Sequence, residues 1–501
     1  MTGAVARSAT KTLSTAPVGG PDGHVDWQKV HPVTPAVKGW KFLALLLFFA
    51  AQQAGNNIGN AGEMVRTVGW LPVGGAFAAL TVIGFLYAFV AWRMTRYAID
   101  GEMVYLQTGV LFRQQRSARL DRIQAIDVVQ PILARILGLA ELKIEVAGGS
   151  DSAVRLAYLK EDAAQGVRNA LLARAAGVEF GTVEQPEAPV APEREVLVVP
   201  ASRLVGSLLR SGVVAVPVLT LAATVAVAVG TREPGVVLGV LPIFLGSLGY
   251  LWQRFAGEFH FRAAQSPDGI RLRHGLLESR AQTVPPGRVQ AVRLTQPLLW
   301  RGQDWWRVQI NVAGYGQADE QSENVLLPVG DRDEALLALW LVLPDLGTAE
   351  PRALLDAALS GDREDAGFVT SPRAARWLDP WSWWRNGYAL TGRAVLIRSG
   401  RITRQLVVVP HERTQSLGVQ QGPLQRRLGV ASVVLHSTPG PVRPLVPHLD
   451  EATAGALLVE QSARARSARA AAVPERWMSD LRPRARTAPV GPADDIPTGV
   501  A

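Results

Sequence analysis

Arg122 and Gln124, Arg288 and Gln290, and Arg413 and Gln415 repeat one spacing three times. A second glutamine stands six residues further on in each copy, at Gln130, Gln296 and Gln421. On a strand, residues two apart share a face, so each Arg and first Gln project together. A guanidinium beside a carboxamide can grip a phosphate or carboxylate through its planar fork. The same groups can instead satisfy carbonyls in a bend that has no ladder partner. Because the pattern persists beside very different neighbours, the structural role is the preferred reading, and the ligand-facing patch is its alternative. A second set lies in RWLDPWSWWRNGY, where Trp377, Trp381, Trp383 and Trp384 stand with Arg376 and Arg385. Amphipathic rings and cations suit a segment lying in a lipid headgroup layer. Packing between domains would use the same tryptophans, and both readings stand.

Catalytic chemistry finds little support. The chain has no cysteine, which excludes disulfides, thiolate nucleophiles and iron–sulfur ligation. Its seven histidines show no metal-ligand spacing. His411 and His448 each follow a proline and read as loop residues. Glu161-Asp162 and Asp331-x-Asp333 read as helix starts, and the Gly148-Gly149 and Gly314-Tyr315-Gly316 stretches as hairpin connections. No nucleophile, base and orienting group can be assembled. No catalytic residue, metal or cofactor is therefore expected.

The elements that position the repeated residues can be read from register. Gly109, Gly275 and Gly400 each precede the second glutamine by 21 residues. Leu133, Leu299 and Leu424 follow it by three, and Arg135, Arg301 and Arg426 by five. Alternating apolar and polar residues around Asp100-Gly101, Asp268-Gly269 and Thr391-Gly392 predict strands joined by tight turns. Each copy closes on a helix with an acidic first turn and an apolar face. Such a unit reads as a small β-barrel or bent sandwich plugged by its terminal helix.

Four apolar segments, 40–59, 68–92, 211–230 and 234–252, approach the roughly 20 residues that cross a bilayer. Each pair is too tightly joined to do anything but go across and return. Lys29, Lys38, Lys41, Arg93, Arg96, Arg203, Arg210, Arg254 and Arg262 flank one side, which the positive-inside rule makes cytoplasmic. Both termini and the strand-rich parts then face the cytoplasm of a multi-pass plasma-membrane protein. The formal charge of +9 can favour an anionic membrane surface as readily as nucleic acid.

The boundaries follow. Residues 1–37 read as a disordered N-terminus, 38–93 as a first hairpin, 94–180 as a first repeat, 181–203 as a linker and 204–254 as a second hairpin. Residues 255–345 form a second repeat, 346–375 a linker, 376–465 a third repeat and 466–501 a disordered basic tail.

The run Gly109, Leu111, Arg113, Arg122, Gln124, Gln130, Pro131, Arg135, Gly138 and Leu139 resembles the second class of bacterial pleckstrin-homology domain. Three such units with two hairpins look like the YdbT-type membrane proteins, over about residues 38–465. The second copy departs, with Asp304 where Gly138 and Gly429 occur, and the third inserts Gly422 before Pro423. The resemblance implies membrane helices plus three pleckstrin-homology-like barrels, each with a C-terminal helix, and no enzymatic activity. The function expected is a membrane-anchored scaffold whose units bind one another, a membrane-protein partner such as a single-domain YdbS-type relative, or membrane lipid headgroups, with envelope stress as its setting. An oligomer fits this reading and nucleic acid does not. The alternative is an accessory subunit of a transporter or channel.

Overall fold

The computed structural model describes residues 27–30, 70–99, 103–109, 113–119, 123–146, 154–175, 193–232, 235–266, 269–284, 287–313, 324–363 and 365–472. They fall into two compact units divided between Asp121 and Arg122. The first expected span, 40–59, lies outside the described residues.

In the first unit, β1 (Gln28–Lys29), β2 (Arg96–Ile99), β3 (Met103–Thr108) and β4 (Gln114–Arg119) form one antiparallel sheet in that order. Tyr97, Val104, Leu106 and Ala118 are buried on one face of it, and Ala98 and Tyr105 on the other. The helix Trp70–Met94 enters this sheet, and the Trp92 indole N–H donates to the Val30 carbonyl at 3.0 Å. Residues 28–29 therefore depart from the expected disorder: they hydrogen-bond to the first strand after the helix.

The second unit opens with β5 (Ile123–Pro131), β6 (Leu139–Val146), β7 (Val154–Lys160), β8 (Arg194–Val198), β9 (Arg262–Ser266), β10 (Gly269–His274) and β11 (Glu278–Val284). These make one seven-stranded sheet in the order β7-β6-β5-β11-β10-β9-β8. A second is built the same way from β12 (Val289–Gln296), β13 (Trp306–Val312), β14 (Val325–Gly330), β15 (Val369–Thr370), β16 (Gly387–Leu390), β17 (Ala394–Ser399) and β18 (Arg404–Pro410). Its order is β14-β13-β12-β18-β17-β16-β15. The last sheet is β19 (Ser416–Gln420), β20 (Val430–His436) and β21 (Leu445–Asp450).

This corrects the barrel expectation. Among the described residues no sheet closes on itself; the last three strands of one repeat join the first four of the next. The motif-bearing strand makes the join, with Gln130 opposite Ser279 and Gln296 opposite Arg404. The second and third repeats thus each pack two half-sheets around a core. In the second, Leu272, Val292, Trp300, Trp306 and Leu339 are buried together.

Terminal helices run Glu161–Ala175, Arg332–Val342 and Glu451–Ala471, the last passing the expected boundary at 465. Asp331 and Glu334 form a reciprocal capping box with both bonds at 2.9 Å, so the acidic first turn supplies acceptors for orphan N–H groups. The repeated glycines have a local cause. A Cβ on Gly275 would sit 1.9 Å from the Glu278 carbonyl oxygen, and one on Gly400 would sit 2.1 Å from that of Thr403.

The helical insertions share one slot, between the first and second strands of a repeat. Trp70–Met94 precedes β2, and Ala201–Leu209, Gly212–Thr231 and Gly235–Glu258 separate β8 from β9. The slot between β15 and β16 holds the tryptophan-rich segment instead. The expected linkers are consequently structural: 181–203 supplies β8, and 346–375 supplies helix Pro351–Leu359 and β15. Among the described residues one helix, Gly212–Thr231, is long and apolar enough to cross a membrane, with a mean hydropathy of 2.4 and 11% of that window buried.

Candidate functional site

Helix Gly235–Glu258 ends on a charge cluster. Arg254 and Glu258 lie one turn apart, with the Arg254 Nε donating to Glu258 Oε1 at 3.3 Å. Arg307, on β13, donates from Nη2 to the same oxygen at 2.6 Å. Opposite register brings Arg293 to Gln309 and Thr295 to Arg307, so β12 and β13 present a two-by-two patch. Arg293 Nη2 donates to Gln309 Oε1 at 2.6 Å. These side chains, with Tyr250 and Ser211, line a cavity of about 480 Å³ beside the helix pair.

Three guanidiniums there face one carboxylate. Arg254 Nη2, Arg293 Nε and Thr295 Oγ1 are buried donors without a protein partner, and Glu258 Oε2 is a buried acceptor without one. Unpaired buried donors are costly unless something accepts from them. Burial, and then the neighbouring Arg307, draw the Arg293 guanidinium below its ordinary value, although it remains a cation. The set can hold an oxyanion through charge and hydrogen bonds.

The repeated motif is dispersed. Arg122 lies outside the described residues, and Gln124 sits on β5. Gln130 is buried, with its Nε2 unpartnered. Gln290 donates to the Arg288 carbonyl at 3.2 Å within its own turn. Gln296 donates to Asp304 Oδ1 at 2.8 Å and accepts from Arg404 Nη1 at 3.4 Å. Gln421 donates to the Val430 carbonyl at 3.3 Å and to Glu451. Gln415 is exposed, while Arg413 is half-buried in the short 3-10 turn His411–Arg413. His411 itself is buried rather than in an open loop, with ring nitrogens 2.9 Å from Gln461 Oε1 and 3.0 Å from the Thr391 carbonyl.

The tryptophan segment divides. Trp377 and Trp381 are 72% and 66% exposed, and Arg376 stacks 5.3 Å over the Trp377 ring. Trp383 and Trp384 are half-buried and meet edge to face at 5.9 Å. Arg385 departs from the expected surface cation. It is buried and donates to the Ala358 and Leu359 carbonyls at 2.9 Å and to that of Gly361, closing the C-terminus of helix Pro351–Leu359.

Sequence reasoning missed Arg254, Arg293, Thr295 and Arg307. Arg293 and Thr295 sit two apart inside the second motif, and Arg254 immediately follows an apolar span. Their meeting depends on β13, which no local pattern supplies.

A family model described as a bacterial PH domain matches residues 53–175, 211–340 and 357–466. The chain is 19% identical over 298 residues to UPF0699 transmembrane protein YdbT of Bacillus subtilis (strain 168), which covers 54% of this chain and 59% of that protein. The aligned part is thus under two thirds of that relative's length. No solved structure matches the chain.

Proposed function

The chain belongs to the bacterial PH domain family, and from that premise we propose that it is a membrane-embedded scaffold whose second repeat holds the phosphate of an anionic lipid headgroup. Family and relative point to a membrane-associated, non-catalytic protein of the YdbT type with repeated PH domains. The finer reading rests on one observation: the unpartnered buried donors of Arg254, Arg293 and Thr295, at the end of a helix that follows Gly212–Thr231. A phosphate placed there would accept from them while its acyl chains lay along the apolar helices.

In this reading helices Gly212–Thr231 and Gly235–Glu258 cross and return, and the sheet that they interrupt lies on the cytoplasmic side. The exposed Trp377 and Trp381 rest the third repeat on the headgroup layer, in the slot where the other repeats carry apolar helices. Protein partners, including single-domain relatives, would dock on the exposed sheets. Transport finds no specific support: the hydroxyls of Thr220, Thr224 and Ser247 donate to carbonyls of their own helices.

Native mass spectrometry of the full chain, extracted from membranes of mixed anionic and zwitterionic lipid, tests the site. The wild type is expected to retain anionic lipid. Replacing Arg254 and Arg293 with Gln, which keeps a donor to Gln309, should weaken retention about tenfold or more. Unchanged retention by a folded double variant would make the cavity a structural void.

A further inference from the structure

The two sheet junctions within the chain follow one rule. In the first, Gln130 of β5 stands opposite Ser279 of β11, and Val128 opposite Ala281. In the second, Gln296 of β12 stands opposite Arg404 of β18, and Leu294 opposite Leu406. Counted from the repeated glycine and glutamine the registers coincide: the second glutamine always faces the residue four beyond the next repeat's turn glycine. The rule leaves two half-sheets unmatched among the described residues. β19 is the outer strand of the last sheet, and β4 ends the first.

The exposure of β19 carries the signature of a missing neighbour. Val419 is 49% exposed, whereas its counterparts at the completed junctions, Val128 and Leu294, are 3% and 0% exposed. On β4, Gln114 and Gln115 are exposed, as is Arg113 just before it. Applying the rule places Gln421 opposite Arg113, Val419 opposite Gln115 and Leu417 opposite Ser117. Arg113 has the repeat position of Arg404, so Gln421 and Arg113 would restore the pair that Gln296 makes with Arg404 at 3.4 Å.

We infer that β19 of one copy is completed by β4 of a second copy, in the antiparallel register of the two internal junctions. The partner is this chain because it carries the fourth strand of a first repeat, the element that both internal junctions use. An extended strand added to an open edge gains main-chain hydrogen bonds that water otherwise supplies. Open edges left bare are an association hazard, which a specific occupant removes. The contact is heterologous: each copy offers β19 to one neighbour and β4 to another, so it builds a ring or a row. This goes beyond the lipid-binding scaffold reading and does not depend on the cavity.

The absence of native cysteine makes the register directly readable. Two differently tagged full-length copies are co-expressed in membranes, one carrying Gln115→Cys and the other Val419→Cys, and then oxidised. Facing antiparallel residues have Cα atoms about 4.5–5.5 Å apart, within disulfide reach. The expected product is a reducible dimer bearing both tags, absent when either cysteine is missing. It should be lost when Gln115→Cys is replaced by Gln114→Cys, whose side chain points to the other face. Three results would overturn the inference: no mixed-tag dimer, equal bridging by the Gln114→Cys copy, or a doubly substituted chain that bridges only within itself.

Discussion

Asp304 shows how one position can break a repeat and still keep its geometry. Gly138 and Gly429 take a left-handed backbone at φ +65°, and Asp304 takes it at +47°. Aspartate tolerates that region better than most side chains. Here its Oδ1 also accepts from Gln296 Nε2 and, at 2.9 Å, from Trp306 Nε1. Asp304→Gly should free the backbone but orphan two buried donors, lowering stability by about 1–3 kcal/mol in chemical denaturation. Arg398 acts on a larger scale. It is 0% exposed, donates to the Ala357 and Arg385 carbonyls at 2.8 and 3.0 Å and to that of Arg363, and stacks 4.3 Å over Phe368. Burial pushes its guanidinium down to about 10, although Asp365 and Asp362 hold it up. Arg398→Met, similar in volume, should cost about 3 kcal/mol or more, read as loss of protease resistance in the third repeat. His274 supplies a pH signature. Burial holds its pKa below the ordinary 6.5, against the Gly257 carbonyl 2.7 Å away. Above that value both folded and unfolded chains are neutral there. As pH falls below it, the unfolded chain takes a proton the folded one resists, so stability should decline until the folded pKa is passed. Proteolysis across pH 5–7 should show the loss, and His274→Gln should flatten it.

At the scale of elements, the sequence made some features plain and concealed others. The register from Gly275 to Gln296, the acidic helix starts and the apolar helices Trp70–Met94, Gly212–Thr231 and Gly235–Glu258 are local patterns, and each appears where spacing predicts. The two-residue strands Gln28–Lys29 and Val369–Thr370 are too short to show alternation. They exist because a neighbouring strand supplies their hydrogen bonds. The joining of β5 to β11 was hidden for a related reason: it pairs residues about 150 apart, and nothing in either strand names its partner. The cavity suffered the same fate, since Arg254, Arg293 and Arg307 come from three elements. The insertion slot gives the tryptophan segment its meaning. A polarity-sensitive dye on Trp377→Cys in the full chain should report an apolar environment in vesicles and be quenched by lipids spin-labelled near the headgroup. A dye equally bright without lipid would place that residue in a protein contact.

Across the whole molecule, shared sheets make the conventional boundaries poor places to cut. A fragment from 370 to 470 would keep β16, β17 and β18 but strip β12 from β18, exposing Leu406 and Val408, both 0% exposed in the intact chain. Such a fragment should aggregate. The same continuity holds helices Ala201–Leu209, Gly212–Thr231 and Gly235–Glu258 in one slot between β8 and β9, and Gly212–Thr231 is long and apolar enough to cross a membrane. Sidedness is therefore the most direct test of a membrane-embedded scaffold. Single cysteines at Arg232, after helix Gly212–Thr231, and at Val459, 70% exposed on the last helix, can be probed with an impermeant thiol reagent. In intact cells the account predicts labelling at position 232 and protection at 459, with 459 labelled only after lysis. Protection of both positions in intact cells, or labelling of 459 from outside, would contradict it.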